Sequence, residues 1–216
     1  MSDSLSDLLG GRRGALDATA PPLAFAAAWL LTAAIGWSTA AALAAAAAVA
    51  VIRLVRGEKA TAVLGSMTAV AVGAAVALHT GRAEDFFLIQ LLSNTASALL
   101  WAASIAVRWP LLGVVVGLLL GQRFRWRRDP ALLRAYSRAS WVWVLQYALR
   151  TTAFTTLWWL GSVTALAITR VALSWPLVAL VIAVSAAVLR KSLPTNHPGL
   201  RHPQLPTPAE PQPKTA

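Results

Sequence analysis

Residues 18–52 read ATAPPLAFAAAWLLTAAIGWSTAAALAAAAAVAVI, with no charged side chain between Asp17 and Arg53. A bilayer core about 30 Å thick takes roughly 20 apolar residues to cross as helix, because in lipid each backbone N–H and C=O must be satisfied inside the segment. The stretch is too long for one ordinary span and short for two, and Gly36-Trp37-Ser38 is its natural break. It predicts a tight hairpin, with helices near Pro22 to Ile35 and Ser38 to Val55.

The same pattern continues to Leu189, with charges confined to short breaks except at Arg150 and Arg170. Further apolar runs cover Thr61 to Leu78, Phe86 to Val107, Ala139 to Leu160 and Val163 to Leu189. Between them, Leu111 to Gly121 is too short to cross comfortably. The chain is 57% hydrophobic and 12% charged, against about 25% charged for a typical soluble domain. A soluble core could not hide that much apolar surface.

The net charge of +11 could point to nucleic acid, but that reading needs a basic soluble face with aromatics to stack bases. Here the arginines sit at the ends of apolar runs, as the positive-inside pattern requires, so no nucleic-acid partner is expected and membrane lipids are. Arg12 and Arg13 ahead of Leu23 to Ile35, with Ser38-Thr39-Ala40 beyond, imitate a signal peptide. The apolar character runs on to Ile52, so the segment reads as membrane sequence.

Arg53, Arg56 and Lys59, the loop with Arg123, Arg125, Arg127, Arg128, Arg134 and Arg138, and Arg190-Lys191 all fall on one side if the chain crosses six times. The expected fold is an all-α, polytopic transmembrane helical bundle of about six spans, both termini cytoplasmic. Leu111 to Gly121 is then re-entrant, interfacial or a bent continuation of the fourth helix. Ten tryptophans, among them Trp37, Trp109, Trp141, Trp158 and Trp159 near run ends, suit an aromatic belt. The organisation is a cytoplasmic segment 1–21, a helical domain 22–189 and a proline-rich tail 190–216 expected to be disordered.

Gly65, Ala69, Gly73 and Ala77 recur at every fourth position and so line one helix face. Such a face lets another helix approach closely, in a compact bundle or in a dimer, and both stay open. Arg108-Trp109-Pro110-Leu111 has a later counterpart in Trp175-Pro176-Leu177. The pair reads either as an internal repeat with a broken helix in each half or as two ordinary proline kinks.

The candidate polar site consists of Arg150, Arg170, Asp85, Gln90, Asn94, Arg108 and Gln146. Gln90, Asn94, Ser97, Trp101, Ser104 and Arg108 lie within about 40° of one line on a helix, a stripe that must turn toward partner helices or a wet cavity. Gln146 with Arg150, and Arg170 with Ser174, are spaced four apart. An arginine at the bilayer centre costs about 2.5 to 3.5 kcal/mol on insertion scales, so Arg150 needs a partner or water, while Arg170, closer to the outer end, either snorkels or pairs. Glu84 and Asp85 are the only carboxylates near an outer helix end, which makes Asp85 the expected counter-ion of Arg170 and leaves Arg150 to deeper polar groups. The excess positive charge admits an anionic ligand, since a guanidinium fork fits phosphate.

No Asp or Glu lies inside a span, which argues against a proton relay or sodium site. Cysteine is absent, His79 is isolated, and His197 and His202 lie in the tail. The sequence therefore assembles no catalytic constellation, metal site or cofactor site.

Gly10-Gly11-Arg12-Arg13-Gly14-Ala15-Leu16-Asp17 with Pro21-Pro22, Thr80-Gly81-Arg82-Ala83-Glu84-Asp85-Phe86-Phe87, Arg108-Trp109-Pro110-Leu111, Trp126-Arg127-Arg128-Asp129-Pro130 and Trp175-Pro176-Leu177 resemble an actinobacterial family of integral membrane proteins classed as a domain of unknown function. The resemblance covers nearly the whole chain except the tail. Two short elements, Gly-Arg-x-x-Asp-Phe-Phe and Arg-x-Pro-Leu, are more distantly similar to the intracellular septation protein A group. The likeness implies a multi-pass protein of the bacterial plasma membrane and carries over no catalytic residue. The leading expectation is a non-enzymatic structural or interaction component of the envelope, with a protein partner or a second copy. The alternative is a transporter or binding protein for a small anionic or lipid-like solute, acting through the intramembrane arginines.

Overall fold

Thr32 ends the first helix. Its hydroxyl donates to the Ala28 carbonyl at 2.8 Å and accepts the Ala34 N–H at 3.2 Å, while Ala33 takes a left-handed φ of 49°. The computed structural model describes residues 11–122, 124–195 and 197–204, with side chains from Asp17 onward. Arg123, the side chains of Arg12 and Arg13, and residues 205–216 of the expected tail lie outside the described residues.

Helix α1 spans Gly11–Thr32 and α2 Ile35–Val55. The break therefore precedes Gly36, which sits inside α2. A helical glycine costs up to about 1 kcal/mol, whereas the Thr32 hydroxyl satisfies backbone groups at the turn. Helix α1 also starts well before Pro22 and carries Pro21 and Pro22 in its interior. Each proline lacks an N–H to return to the preceding turn.

Helix α3 (Ala60–Thr80) ends on Gly81, whose φ of 70° is the left-handed cap geometry that glycine adopts at little cost. A 3-10 turn, Ala83–Phe87, leads into α4 (Leu88–Ala106), followed by α5 (Leu111–Leu119), a second 3-10 turn at Arg125–Arg128, α6 (Pro130–Trp159), α7 (Val163–Ala172) and α8 (Trp175–Ser192). The run 163–189, expected as one helix, is interrupted at Leu173 and Ser174. The 111–121 segment is a separate helix of 9 residues, only about 14 Å long at 1.5 Å per residue.

Among the described residues four segments are long and apolar enough to cross a membrane: α2, α3, Ala83–Ala106 and Val163–Ser192. Helix α1 has an arginine pair, Asp17 and two prolines. Helix α6 has Arg134, Arg138, Arg150 and several hydroxyls, which lower its hydropathy. The outward surface is apolar, with Leu31 86%, Val55 83%, Trp159 76% and Leu160 72% exposed. Monomeric soluble proteins rarely expose such contiguous apolar area.

The chain forms two units, one of residues up to Ala96 with Tyr147–Ala179, the other of Ser97–Gln146 with Leu180 onward. In the first, α1 packs on α2, α2 on α3, and α1 also on α7. Its core is aromatic: Phe25 stacks on Phe86 at 4.1 Å, and Phe87 meets both edge-on. The small-residue face of α3 makes room here. A Cβ on Gly73 would lie 2.8 Å from the Phe86 carbonyl oxygen, whereas one on Gly65 would meet nothing within 4 Å.

In the second unit α5 rests on Trp126, which is fully buried and packs edge-on against Tyr136 at 5.4 Å. Asp129 caps α6 by accepting the N–H groups of Ala131 at 2.9 Å and Leu132 at 3.2 Å. Its second oxygen contacts His197 Nε2 at 2.8 Å and accepts the Gln204 N–H at 2.7 Å. Gln122 Nε2 donates to the Leu200 carbonyl at 2.6 Å. The first part of the expected disordered tail is thus held on this unit as far as Gln204. The physical reason is that the buried carboxylate can satisfy both the imidazole and a tail N–H despite the prolines.

Candidate functional site

A helix broken inside an apolar layer leaves its last carbonyls without helical donors, and each must find another. That is the situation at Leu173, where α7 stops, whereas the Ser174 carbonyl accepts the Val178 N–H at 3.1 Å as α8 begins. The turn at Gly161, with φ 65°, sends the chain back from α6 into α7. Arg150 lies 11 residues before this glycine and Leu173 12 after it. At 1.5 Å per residue both are about 17 Å from the turn. The Arg150 guanidinium donates to the Leu173 carbonyl and, at 3.2 Å, to the Ser174 carbonyl. A cation at a helix C-terminus is also favoured by the helix dipole.

Arg170 has a different environment. It makes no hydrogen bond or ion pair with a described residue. Yet it lines two cavities of the first unit, one of about 400 Å³ and one of about 150 Å³. Gln90 lines both as well, while Asn94 and Arg150 line the smaller. Gln90 Nε2 donates to Asn94 Oδ1 at 3.2 Å, which leaves Asn94 Nδ2 buried without a partner among the described residues. Exchanging the two amide orientations reverses the bond and still leaves one donor. Arg150 Nε is buried and unpartnered in the same way. Both atoms are closed off, so they adjoin the smaller cavity rather than open into it.

The carboxylates nearby are engaged elsewhere. Asp85 accepts a 2.7 Å hydrogen bond from Trp158 Nε1 and does not pair with Arg170. The reason is depth: Trp158 lies beside the Gly161 turn, whereas Arg170 is nine residues beyond it, roughly 14 Å along α7. Glu84 pairs with Arg82 at 2.8 Å, and that guanidinium covers the Trp158 ring at 4.7 Å. Asp17 pairs with Arg56 at 3.1 Å, and Arg53 with Glu58 at 2.7 Å.

Of the seven sequence-predicted site residues, the structure brings Arg150, Arg170, Gln90 and Asn94 together. Asp85 sits at the turn end of the unit. Arg108 is exposed, with a φ of 56° at the break after α4. Gln146 is 3% exposed, and neither of its amide atoms has a partner among the described residues. Arg108 and Gln146 belong to the second unit and line neither cavity. Asp17, Arg53, Ser66 and Ser93, which line the larger cavity, did not emerge from the sequence. Arg53 read only as a topology charge, and its proximity to Ser66, at 3.0 Å, depends on the α2–α3 turn.

An all-helical chain with four segments of membrane-crossing length and large apolar side chains turned outward has the character of a membrane protein. It belongs to the family described as "Protein of unknown function (DUF3159)", whose model matches residues 9–196. Searches of curated proteins and of solved structures each return no match.

Proposed function

We propose that this is a six-span protein of the bacterial plasma membrane, both termini cytoplasmic, that binds a small anionic group in the first unit through Arg170. The observation that carries this reading is that Arg170 lines both cavities without a hydrogen-bonding or ionic partner among the described residues. A charge withdrawn from water is costly unless it is paired. Gln90, Asn94 and Arg150 line the smaller cavity with Arg170, and guanidinium and amide donors suit an oxyanion where a cation would be repelled.

Six crossings would carry Arg53, Arg56 and Lys59, the 125–138 arginines and Arg190-Lys191 to the same face of the membrane, as the positive-inside rule requires. In this topology α5 stays at the cytoplasmic interface, and Arg127, whose guanidinium covers the Trp109 ring at 4.0 Å, anchors it there. The role is non-enzymatic.

The test is binding of inorganic phosphate to the purified full-length protein in phosphatidylcholine nanodiscs, with Arg170→Gln beside wild type. Loss of at least tenfold in affinity supports the reading. Equal affinity in the two proteins, or no binding by either, overturns it.

A second reading, a structural or interaction component of the envelope, is favoured by one specific observation. Arg150 is engaged with backbone carbonyls, as an arginine that braces helices would be. The distant likeness of Gly81-Arg82-Ala83-Glu84-Asp85-Phe86-Phe87 to septation proteins of the envelope agrees with it. In vivo crosslinking that captures a defined partner, with Arg170→Gln fully functional in growth and division, would favour it over anion binding.

A further inference from the structure

We infer that the anion received at Arg170 is the head of an amphiphile whose apolar chain lies in the larger cavity. This deepens the reading above and rests on it. The two cavities share Ala18, Gln90 and Arg170, so a head group at Arg170 has access to both volumes. They differ in size. The smaller is ringed by Arg150, Asn94, Ser174 and Thr19, with Phe154, Leu173 and Trp175, in addition to the shared residues. The larger, at about 400 Å³, is within the range of small-molecule sites, roughly 300 to 1,000 Å³. Most of its wall is apolar, including Pro22, Val49, Met67, Val70, Phe86 and Ile89.

Two features of the chain build this apolar volume. Pro21 and Pro22 place rings, rather than N–H donors, on the α1 wall. On α3 the small-residue face places Ala69 at the wall, one turn before the Gly73 contact with Phe86. A free oxyanion at Arg170 would leave the apolar part of this wall unused. The polar atoms at the Asp17 end are engaged with one another, Asp17 with Arg56 and Arg53 with Glu58 and Ser66, so they do not compete for the head. An oxyanion head with one short alkyl chain matches both the Arg170 guanidinium and the apolar wall.

The full-length protein in phosphatidylcholine nanodiscs is titrated with inorganic phosphate and with hexyl phosphate. Each buried methylene strengthens binding about fourfold, so hexyl phosphate is expected to bind at least tenfold tighter than phosphate. Ala69→Phe, at an exposed wall position, should remove this advantage while keeping phosphate affinity within twofold, which also reports that the variant is folded. Arg170→Gln should weaken both ligands.

Nanodiscs containing phosphatidylglycerol separate the sources of the ligand. Phosphatidylglycerol retained in native mass spectrometry and displaced by hexyl phosphate identifies a bilayer lipid. Hexyl phosphate binding without such retention identifies a soluble amphiphile, and both outcomes support the inference. Equal affinity for phosphate and hexyl phosphate overturns it and leaves the anion reading standing. Binding of neither overturns both.

Discussion

Arg150 is bonded to the backbone carbonyl of Leu173, the residue at which α7 ends. The contact explains how a charge can sit within an apolar run and how a helix can be broken there. Each supplies what the other lacks: the guanidinium has donors in excess, and the helix end has carbonyls in excess.

Arg150→Leu removes those donors and leaves the Leu173 carbonyl unsatisfied, while the Ser174 carbonyl keeps the Val178 N–H. Unfolding in a mild detergent should show a loss of about 1 to 3 kcal/mol, the usual cost of stranding a buried hydrogen-bonding group. Arg150→Lys should recover part of it, because an ammonium also donates. Unchanged stability in the leucine variant would remove the bracing role.

The small-residue face of α3 should respond unevenly to alanine. Gly73→Ala sets a Cβ against the backbone oxygen of Phe86 at 2.8 Å, which no side-chain rotation relieves, and should cost about 1 to 3 kcal/mol. Gly65→Ala meets nothing within 4 Å and should be neutral or stabilising by up to about 1 kcal/mol through helix propensity. Paired thermal melts test this, and equal effects would contradict the packing described.

How much of this was legible in the sequence depended on whether a feature was local. The helical class and the four membrane-length segments follow from apolar runs, and the break before Pro110 follows from its Trp-Pro signal, whereas Trp175-Pro176 left a broken helix and a kink both open. The break at Ala33 did not, since it depends on a threonine side chain returning to its own backbone. The Asp85–Arg170 pairing failed because charge complementarity was read without depth. Arg150 and Arg170 were both identified, but only the α6–α7 register assigns one to carbonyls and the other to a cavity. His197 gave no signal, because its partner Asp129 is 68 positions away.

The Asp129 contacts carry a pH dependence. Burial alone would raise its pKa. Hydrogen bonding to His197 and the N–H groups of Gln204, Leu132 and Ala131 outweighs burial and holds the carboxyl below its ordinary range. A lowered folded-state pKa means that this stabilisation is fully present above the unfolded value of about 3.9 and is lost as pH falls through the folded value. The acid limb of a stability profile should therefore be shallower in Asp129→Asn than in wild type. Hydrogen exchange at Gln204 should be faster in that variant at neutral pH, while Leu132 stays capped by the amide oxygen. An acid limb identical in both proteins would contradict the assignment.

The central claim concerns Arg170, and phosphate affinity in nanodiscs tests it most directly. Wild type and Gly65→Ala, a change outside both cavities, should both bind, whereas Arg170→Gln should lose at least tenfold while melting within a few degrees of wild type. Undiminished phosphate affinity in a folded Arg170→Gln protein would contradict the account.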